Sequence, residues 1–524
     1  MDSKTECLPI FKPYDQNQMM LLPPSLEELI PEQHLVRVFN GIIERMDMAP
    51  LESRYKGGGT SSYHPKLMLK VLVYGYINRI YSSRKIAKAL RENVHFMWLS
   101  GGGRPDFRTI NHFRSSRMKK VVDEVFSSLL ERLIEMGYVK FEHYFIDGTK
   151  FMADASRHSH VWRKNTKRYQ EGLQGKIEEL MKQIDENQEA EDREYGDRDL
   201  EELGDGEAVT SGELKEIAEK LDDAIGEVED KQKKKGLIKA KKKIEKEYLP
   251  RLEKYEGQER DLGGRNSCSK TDKDATFYRF KNGDLLPAYT VLMGTESQFI
   301  LNYSVHQQAS DTPLLIPHFE KMKELNGRKP ESAIGDSGFG SEENYAYLEE
   351  QGIENYLKYN TFHQEEKRKK RKFDRDQFAY DPKEDVYTCP NGRHLRFKEK
   401  RRRKTGNGYF TEFDLYACEN CGGCSDALEC KRTEGPRTIQ RNLIVDRYRK
   451  QAKENLTSEL GVWLRKQRNI DVESVFGHIK KNMGYRRFRL RGLEKVNIEI
   501  GLISMAHNIS KMFMKQSKII PLLT

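Results

Sequence analysis

Three carboxylates, Asp147, Asp336 and Glu473, occupy positions from which a folded chain could bring them together. Asp147 ends the apolar run in "HYFIDGTKFMAD", Asp336 follows the short apolar "SAIG", and Glu473 lies on the helical stretch "DVESVFGHIKKNM". Each alone has an ordinary reading: an Asp-Gly hairpin turn, a strand-end cap, a solvated helical Glu. Together, two aspartates at the ends of adjacent strands and a glutamate on a helix crossing them could hold two Mg2+ (or Mn2+) ions about 3.5–4 Å apart. Hard oxygen ligands suit these ions, and water fills the remaining positions. One ion would lower the pKa of an attacking water or 3′-hydroxyl. The other would steady the leaving oxygen of an in-line displacement at phosphorus.

A second chemistry is carried by sulfur. Five of the seven cysteines crowd into "CPNGRH" and "CENCGGCSDALEC": Cys389, Cys418, Cys421, Cys424 and Cys430. Thiolates two residues apart can share one tetrahedral Zn2+, and a closed structural site takes four ligands, so one thiol is spare. The spacing favours Cys389, Cys421, Cys424 and Cys430 over Cys418; reduced thiols without metal are the alternative. Asp154, His158 and His160 are poor candidates for the carboxylate site, since histidines suit zinc better than magnesium. Ser156 and Ser337 have no identifiable base beside them, which leaves serine nucleophilic catalysis unsupported.

The elements around these residues follow from periodicity. "HYFIDGTKFMA", "LLPAYTVLMG", "QFILNYSVHQ", "SAIGDSGF" and "IENYLKYN" read as strands, and "DTPLLIPHFEKMKELN" and "SEENYAYLEEQG" as helices between them. "NIDVESVFGHIKKNM" and "KVNIEIGLISMAHNISKMFMK" read as closing helices. Strands mixed with helices in this order predict an α/β layer architecture. Before it, residues 26 to 135 read as helices: "PKLMLKVLVYGYINRI", "SSRKIAKALREN" with N-cap serines, and "TINHFRSSRMKKVVDEVFSSLLERLIEMGY" as one continuing run, punctuated by Gly57–Gly59 and Gly101–Gly103. Their many Arg and Lys residues suit a DNA-reading helical domain or a structural bundle with a charged surface.

Two insertions interrupt the core. Residues 176 to 257 are charge-rich, with Ile177, Leu180, Met181 and Ile184 spaced for a narrow seam, and predict an antiparallel helical hairpin; disorder is the alternative across "AEDREYGDRDLEELGDGEA". The other begins at "EEKRKKRKFDRDQF" and carries the cysteines.

Hydrophobic residues make up 36% and charged residues 33% of the 524, with a mean hydropathy of −0.82. No apolar run approaches a membrane span, no secretory signal opens the chain, and the few clustered cysteines argue against a secreted disulfide framework. A cytoplasmic protein is expected. Between Lys176 and Asp230, 22 Asp or Glu face 6 Lys or Arg, so that segment carries −16 and the rest of the chain +26 of the total +10. Such a basic remainder favours a polyanionic partner, because each neutralised phosphate releases counterions.

"FIDGTKFMADASR", "IGDSGFGSEENYAYL" and "VESVFGHIKKNMGYRRFRLRGLEKV" resemble the three catalytic-motif blocks of bacterial insertion-sequence DDE transposases, whose core is RNase H-like. "YHPKLMLKVLVYGYINRIYSSRKIAKALRENVHFMWLSG" with "PDFRTINHFR" is similar to the helical N-terminal domain of one branch of that group. The resemblance implies that Asp147, Asp336 and Glu473 are catalytic and bind the metal ions, and that residues around the glutamate touch DNA. Arg468 precedes Glu473 by five residues and Lys480 follows it by seven, offsets slightly different from the family pattern, and the usual tyrosine is not evident. Lys481 and the arginines of "GYRRFRLRG", namely Arg486, Arg487, Arg489 and Arg491, are the further DNA candidates, with Tyr485 and Phe488 available to stack an unpaired base. Arg84 and Arg114 represent the helical domain.

The expected organisation is a helical DNA-binding domain over 1–138, an RNase H-like mixed sheet flanked by helices in three parts (139–170, 261–368 and 441–524), a charged helical hairpin over 171–260 and a Cys-rich zinc-binding insertion over 369–440. The expected activity is cutting at the ends of a mobile element and joining the freed 3′-hydroxyls to target DNA, by a homodimer acting on double-stranded DNA of the bacterial nucleoid, with neither a membrane nor a small-molecule substrate involved. The rivals are a nuclease of the same fold without strand transfer, a non-catalytic DNA-binding regulator derived from a transposase, and a zinc-organised interaction protein.

Overall fold

A computed structural model describes residues 25–55, 62–195, 208–228, 230–367, 371–431 and 434–519. Gly57–Gly59, most of the acidic stretch after Tyr195 and the centre of the "KRKKR" run lie outside the described residues.

The strand predictions converge on one mixed sheet. Its five principal strands are β1 (His143–Met152), β2 (Leu285–Glu296), β3 (Phe299–His306), β4 (Ser332–Gly335) and β5 (Glu354–Leu357), in the spatial order β3-β2-β1-β4-β5. β1, β2 and β3 are successively antiparallel, while β4 and β5 run parallel to β1. The short strand Thr276–Arg279 extends the β2 edge beside β3. β2 is buried from Pro287 onward, as a strand covered on both faces must be. Asp147-Gly148 makes no turn: β1 runs through it and pairs with β2 as far as Met152↔Ala288. Gly148 is needed for a different reason, since a Cβ there would lie 3.0 Å from the Asp311 carboxylate.

The entry to β1 is fixed by a buried acid. The Glu296 carboxylate accepts backbone N–H bonds from Lys140, Phe141, Glu142 and His143 at 2.7–3.2 Å. Four otherwise orphaned donors are thereby satisfied at the bend where Phe141 takes a φ of 64°.

Helices flank the sheet. Glu459–Gly477, which carries Glu473, packs on β1, β2 and β4, and Leu443–Thr457 packs beside it against β5. The C-terminal helix Leu493–Ile519 packs on β3 and reaches Pro65–Ile77 and Val122–Glu135 of the N-terminal region. The N-terminal helices consequently have no core of their own: one continuous apolar cluster runs from Ile30 through the sheet to Met512. The run predicted as continuous from Thr109 to Tyr138 is broken, because Lys120 adopts a φ of 63° between Phe107–His112 with its following π turn and Val122–Glu135.

The charged insertion is more than a two-helix hairpin. Arg163–Tyr195, Ser211–Glu227 and the run from Lys231 to Leu262 enclose a separate core of Ile177, Leu214, Ile244 and Leu252 among others. The apolar positions after Ser211 supply a third seam that the first helix could not bury against one partner. The Cys-rich insertion is a five-stranded antiparallel meander, Ala379–Asp381, Val386–Thr388, His394–Lys404, Phe410–Cys418 and Thr438–Arg441, with its own small core.

Candidate active site

Register brings the two aspartates side by side. Phe145 pairs with Ile334 across the parallel β1–β4 ladder. Asp147 and Asp336 each lie two residues further on, and side chains two apart along a strand share a face. Both use a backbone N–H to set the carboxylate: Gly148 donates to Asp147 at 2.8 Å and Gly338 to Asp336 at 2.9 Å. The tight turn after Asp336 depends on Gly340, where a Cβ would meet the Lys358 carbonyl at 2.2 Å.

Glu473 reaches the same place from the helix that crosses these strands. The link is Arg468, one turn earlier, whose guanidinium lies 3.2 Å from Asp147, 3.9 Å from Asp336 and 3.8 Å from Glu473. The Arg468 side chain is 8% exposed, Asp147 18%, Asp336 43% and Glu473 56%, so the site deepens from an open rim to a buried floor. Burial pushes the Asp147 carboxyl up to about 6; Arg468 opposes that shift, and the charges of Asp336 and Asp311 add to it.

Lysines border the acids. Lys480 donates to the Thr149 hydroxyl and, at 2.9 Å, to the Lys150 carbonyl, with its ammonium over the Phe151 ring. Burial, reinforced by Lys150, lowers it to about 8, while Asp147 draws it back up. Lys150 pairs with Asp311 at 2.9 Å. Burial also lowers Lys358, as do Arg468 and Arg465, against the pull of Asp336 and Glu473. Sequence reasoning missed Asp311, Lys150 and Lys358. Lys150 stood three residues after Asp147 and could have been noticed; Asp311 and Lys358 have no local signal.

The donor chemistry of the three carboxylates is that of a magnesium or manganese site. Among the described residues, no group of three or more His, Cys, Asp or Glu is arranged to hold a metal ion. Arg468 supplies the positive charge between the acids, and a cation bound by all three would have to displace it.

Two family models match the chain: residues 388–513 match the Transposase DDE domain, and residues 24–116 match the Transposase domain (DUF772). Both matched models are transposase domains, and they support an insertion-sequence DDE transposase. The first match includes Glu473 and ends within the C-terminal helix; both aspartates lie outside it. No curated protein matches the chain. Among the described residues no helix is long and apolar enough to cross a membrane.

The segment after the glutamate helix is stitched to the end of β1. Met152 N–H donates to the Arg486 carbonyl and Phe488 N–H to the Met152 carbonyl, at 3.2 and 2.9 Å. That pairing sends Tyr485 and Phe488 inward, where they are buried among Tyr76, Tyr81, Phe151 and Tyr289. The base stacking expected of these two rings is therefore not available, because their faces are spent on the core. Arg486, Arg487, Arg489, Arg491 and Lys481 lie on the exposed side. Arg487 and Arg491 bond Asp154 at 3.4 and 3.0 Å, and Arg486 bonds the Lys480 carbonyl. Arg84 is exposed with its guanidinium over Phe107. Arg114 is 4% exposed and bonds the Tyr81 carbonyl and Asn111, which makes it a part of the fold.

The five thiols of Cys389, Cys418, Cys421, Cys424 and Cys430 line one small cavity. Backbone N–H groups of Arg393 and Arg437 point at the sulfurs of Cys389 and Cys421, both at 3.3 Å. Cys418, at the end of its strand, is 6% exposed, and burial, helped by a hydrogen bond from its own thiol to the Cys421 sulfur, pushes it up to about 11. The donors expected for zinc are gathered in one place, without a coordination geometry among them.

Proposed function

We propose that this transposase binds the ends of its element, cleaves them and joins the 3′-hydroxyls to target DNA by phosphoryl transfer at Asp147, Asp336 and Glu473. The observation that carries the reading is the approach of all three carboxylates to one guanidinium, two from neighbouring parallel strands in the same register and one from the helix above them. Two divalent cations held by these carboxylates would activate the attacking oxygen and stabilise the leaving one. Lys480, beside Asp147 and partly desolvated, is placed to grip a phosphate next to the scissile bond. Arg468 holds the acids in position before the ions arrive. Lys481, Arg486, Arg487, Arg489, Arg491 and Arg84 supply the backbone contacts that hold the duplex.

Cutting and joining share this site, because both are displacements at phosphorus, and pairing two element ends calls for a dimer acting on DNA in the bacterial cytoplasm. The thiols of the Cys-rich meander are the donors a structural zinc would use, and such an ion would brace that insertion. The test is incubation with a labelled duplex carrying the inverted repeat that flanks the reading frame, in Mg2+. Strand-transfer products with a pre-cut 3′-hydroxyl end are expected; cutting without joining would instead favour the nuclease reading, and end binding without metal-dependent cutting the regulator.

A further inference from the structure

The N-terminal region contains a cleft of about 680 Å³. Arg79, Arg84, Lys85, Arg108, Arg114 and Arg489 all line it, and no Asp or Glu does. Five features meet there, the first being the helix Ser83–Glu92, whose N-cap Ser82 makes no side-chain capping bond. The first amides of a helix are donors without intrahelical partners, and the helix dipole makes that end attractive to anions. Secondly, Ser83 lines the cleft at 7% exposure and its buried Oγ has no hydrogen-bond partner. Thirdly, the Nε of Arg114, itself 4% exposed, is also unpartnered in the same lining. Buried polar groups ordinarily find partners, so two orphans beside one uncapped helix end point to a group that completes them.

Fourthly, the arginines are prearranged. The Phe107 ring has the Arg84 guanidinium 4.5 Å from its centroid and that of Arg108 at 5.8 Å. Stacking holds both forks at the cleft with less rotamer entropy left to lose on binding. Finally, Arg489 comes from the catalytic half of the chain, and its position is set by a buried network. The Glu499 carboxylate, fully buried, accepts the backbone N–H of Arg489 and Leu490 at 2.7 and 2.9 Å, and the Tyr76 hydroxyl at 3.2 Å. Tyr81, which lines the cleft, donates to the Met483 carbonyl at 2.6 Å. The cleft is thus bounded jointly by the N-terminal helices and by the segment that continues from the glutamate helix.

We infer that this cleft is a phosphodiester-binding site for the element-end duplex, with one backbone phosphate seated on the Ser83–Lys85 amides and the Ser83 hydroxyl and clamped by Arg84, Arg108 and Arg489. The inference rests on the transposase reading above and deepens it. One contact of this kind, shared between the N-terminal helices and the catalytic half, would set the register of the DNA end relative to Asp147, Asp336 and Glu473. Arg114 is a positioning residue, holding the Tyr81 carbonyl just ahead of the helix end.

The test measures binding of the full chain to the end duplex by fluorescence anisotropy in chelator, across a salt series. Ser82→Asp caps the helix and places a carboxylate where the phosphate sits, so it preserves or raises the melting temperature. Ser82→Asp and the double variant Arg84→Ala/Arg108→Ala are each expected to weaken binding by about tenfold or more, and the slope of log affinity against log salt is expected to fall by about one per lost contact. Replacing single phosphates of the duplex by methylphosphonates is expected to reveal one position that weakens the wild type and leaves Ser82→Asp unaffected. Unchanged affinity and slope in both variants would overturn the inference, as would stabilisation by inorganic phosphate that Ser82→Asp abolishes without any change in duplex binding. If wild-type protein binds no end duplex at all, the transposase reading fails first; if it binds and cuts while the variants match it, only this inference fails.

Discussion

The Nη2 of Arg468 lies 3.2 Å from Oδ2 of Asp147, and the same guanidinium faces Asp336 and Glu473. An arginine among three acids is a counter-charge: it offsets repulsion that would otherwise destabilise the metal-free fold. Arg468→Ala is expected to lower metal-free stability by about 1–3 kcal/mol, less than the full cost of breaking a buried ion pair because Asp336 and Glu473 are partly exposed. It is also expected to enlarge the rise in melting temperature on adding Mn2+. Thermal melts in chelator and in Mn2+ check both; an unchanged chelator melt would show that the pairing contributes nothing.

Asp147 also carries a pH signature. Its folded value of about 6 lies above the unfolded value of about 3.9. The folded chain therefore keeps a proton that the unfolded chain has already released, and stability from this group is complete below about pH 4 and lost as pH rises through about 6. Roughly two units correspond to at most about 3 kcal/mol. In chelator, wild type should gain on Asp147→Asn by up to that amount as pH falls from about 7 to about 4, measured by denaturant unfolding of both proteins. A difference independent of pH would contradict the shift.

Glu499 ties three parts of the chain together, accepting from Arg489, Leu490 and Tyr76 with the Arg114 guanidinium 4.0 Å away. Glu499→Ala leaves the Tyr76 hydroxyl and the backbone donors of Arg489 and Leu490 without their acceptor and Arg114 without its counter-charge, which costs about 3–5 kcal/mol. Hydrogen exchange should show the loss first in Arg489–Leu490 and in the N-terminal helices, with the strands of the sheet slower to follow.

The helical insertion has a separate apolar core, with Ile244 fully buried in it. Ile244→Ala should cost about 2–4 kcal/mol there, and limited proteolysis should open residues 163–262 while the sheet stays protected. Simultaneous cleavage throughout the chain would show that the insertion and the sheet fold as one unit.

Much of this arrangement was legible in the sequence because its signals are local. Short apolar runs rich in aromatic and β-branched residues marked β1, β2 and β3, and Asp147 and Asp336 could be placed at comparable points of two strands. Glu473 was legible through its helix and the motif around it. What was not legible depends on distant partners. Asp-Gly at 147–148 carries a hairpin signal that the β2 ladder overrides. Tyr485 and Phe488 face inward only because Met152 pairs with the segment between them. Asp311 and Lys358 join the site through loops whose sequence has no period. The third helix of the insertion was hidden by its charge, since exposed Lys and Glu outnumber the few apolar residues that form its seam.

The shared two-ion site stands or falls on Mg2+-dependent cleavage of the labelled end duplex with Asp147→Ala, Asp336→Ala and Glu473→Ala beside wild type, each first shown to bind the duplex in chelator. Cleavage is expected to disappear in all three, by about a thousandfold or more as for loss of a group that stabilises the transition state, while binding is retained. Magnesium-dependent cutting that persists in any one of them would contradict the assignment of that carboxylate and the shared two-ion site.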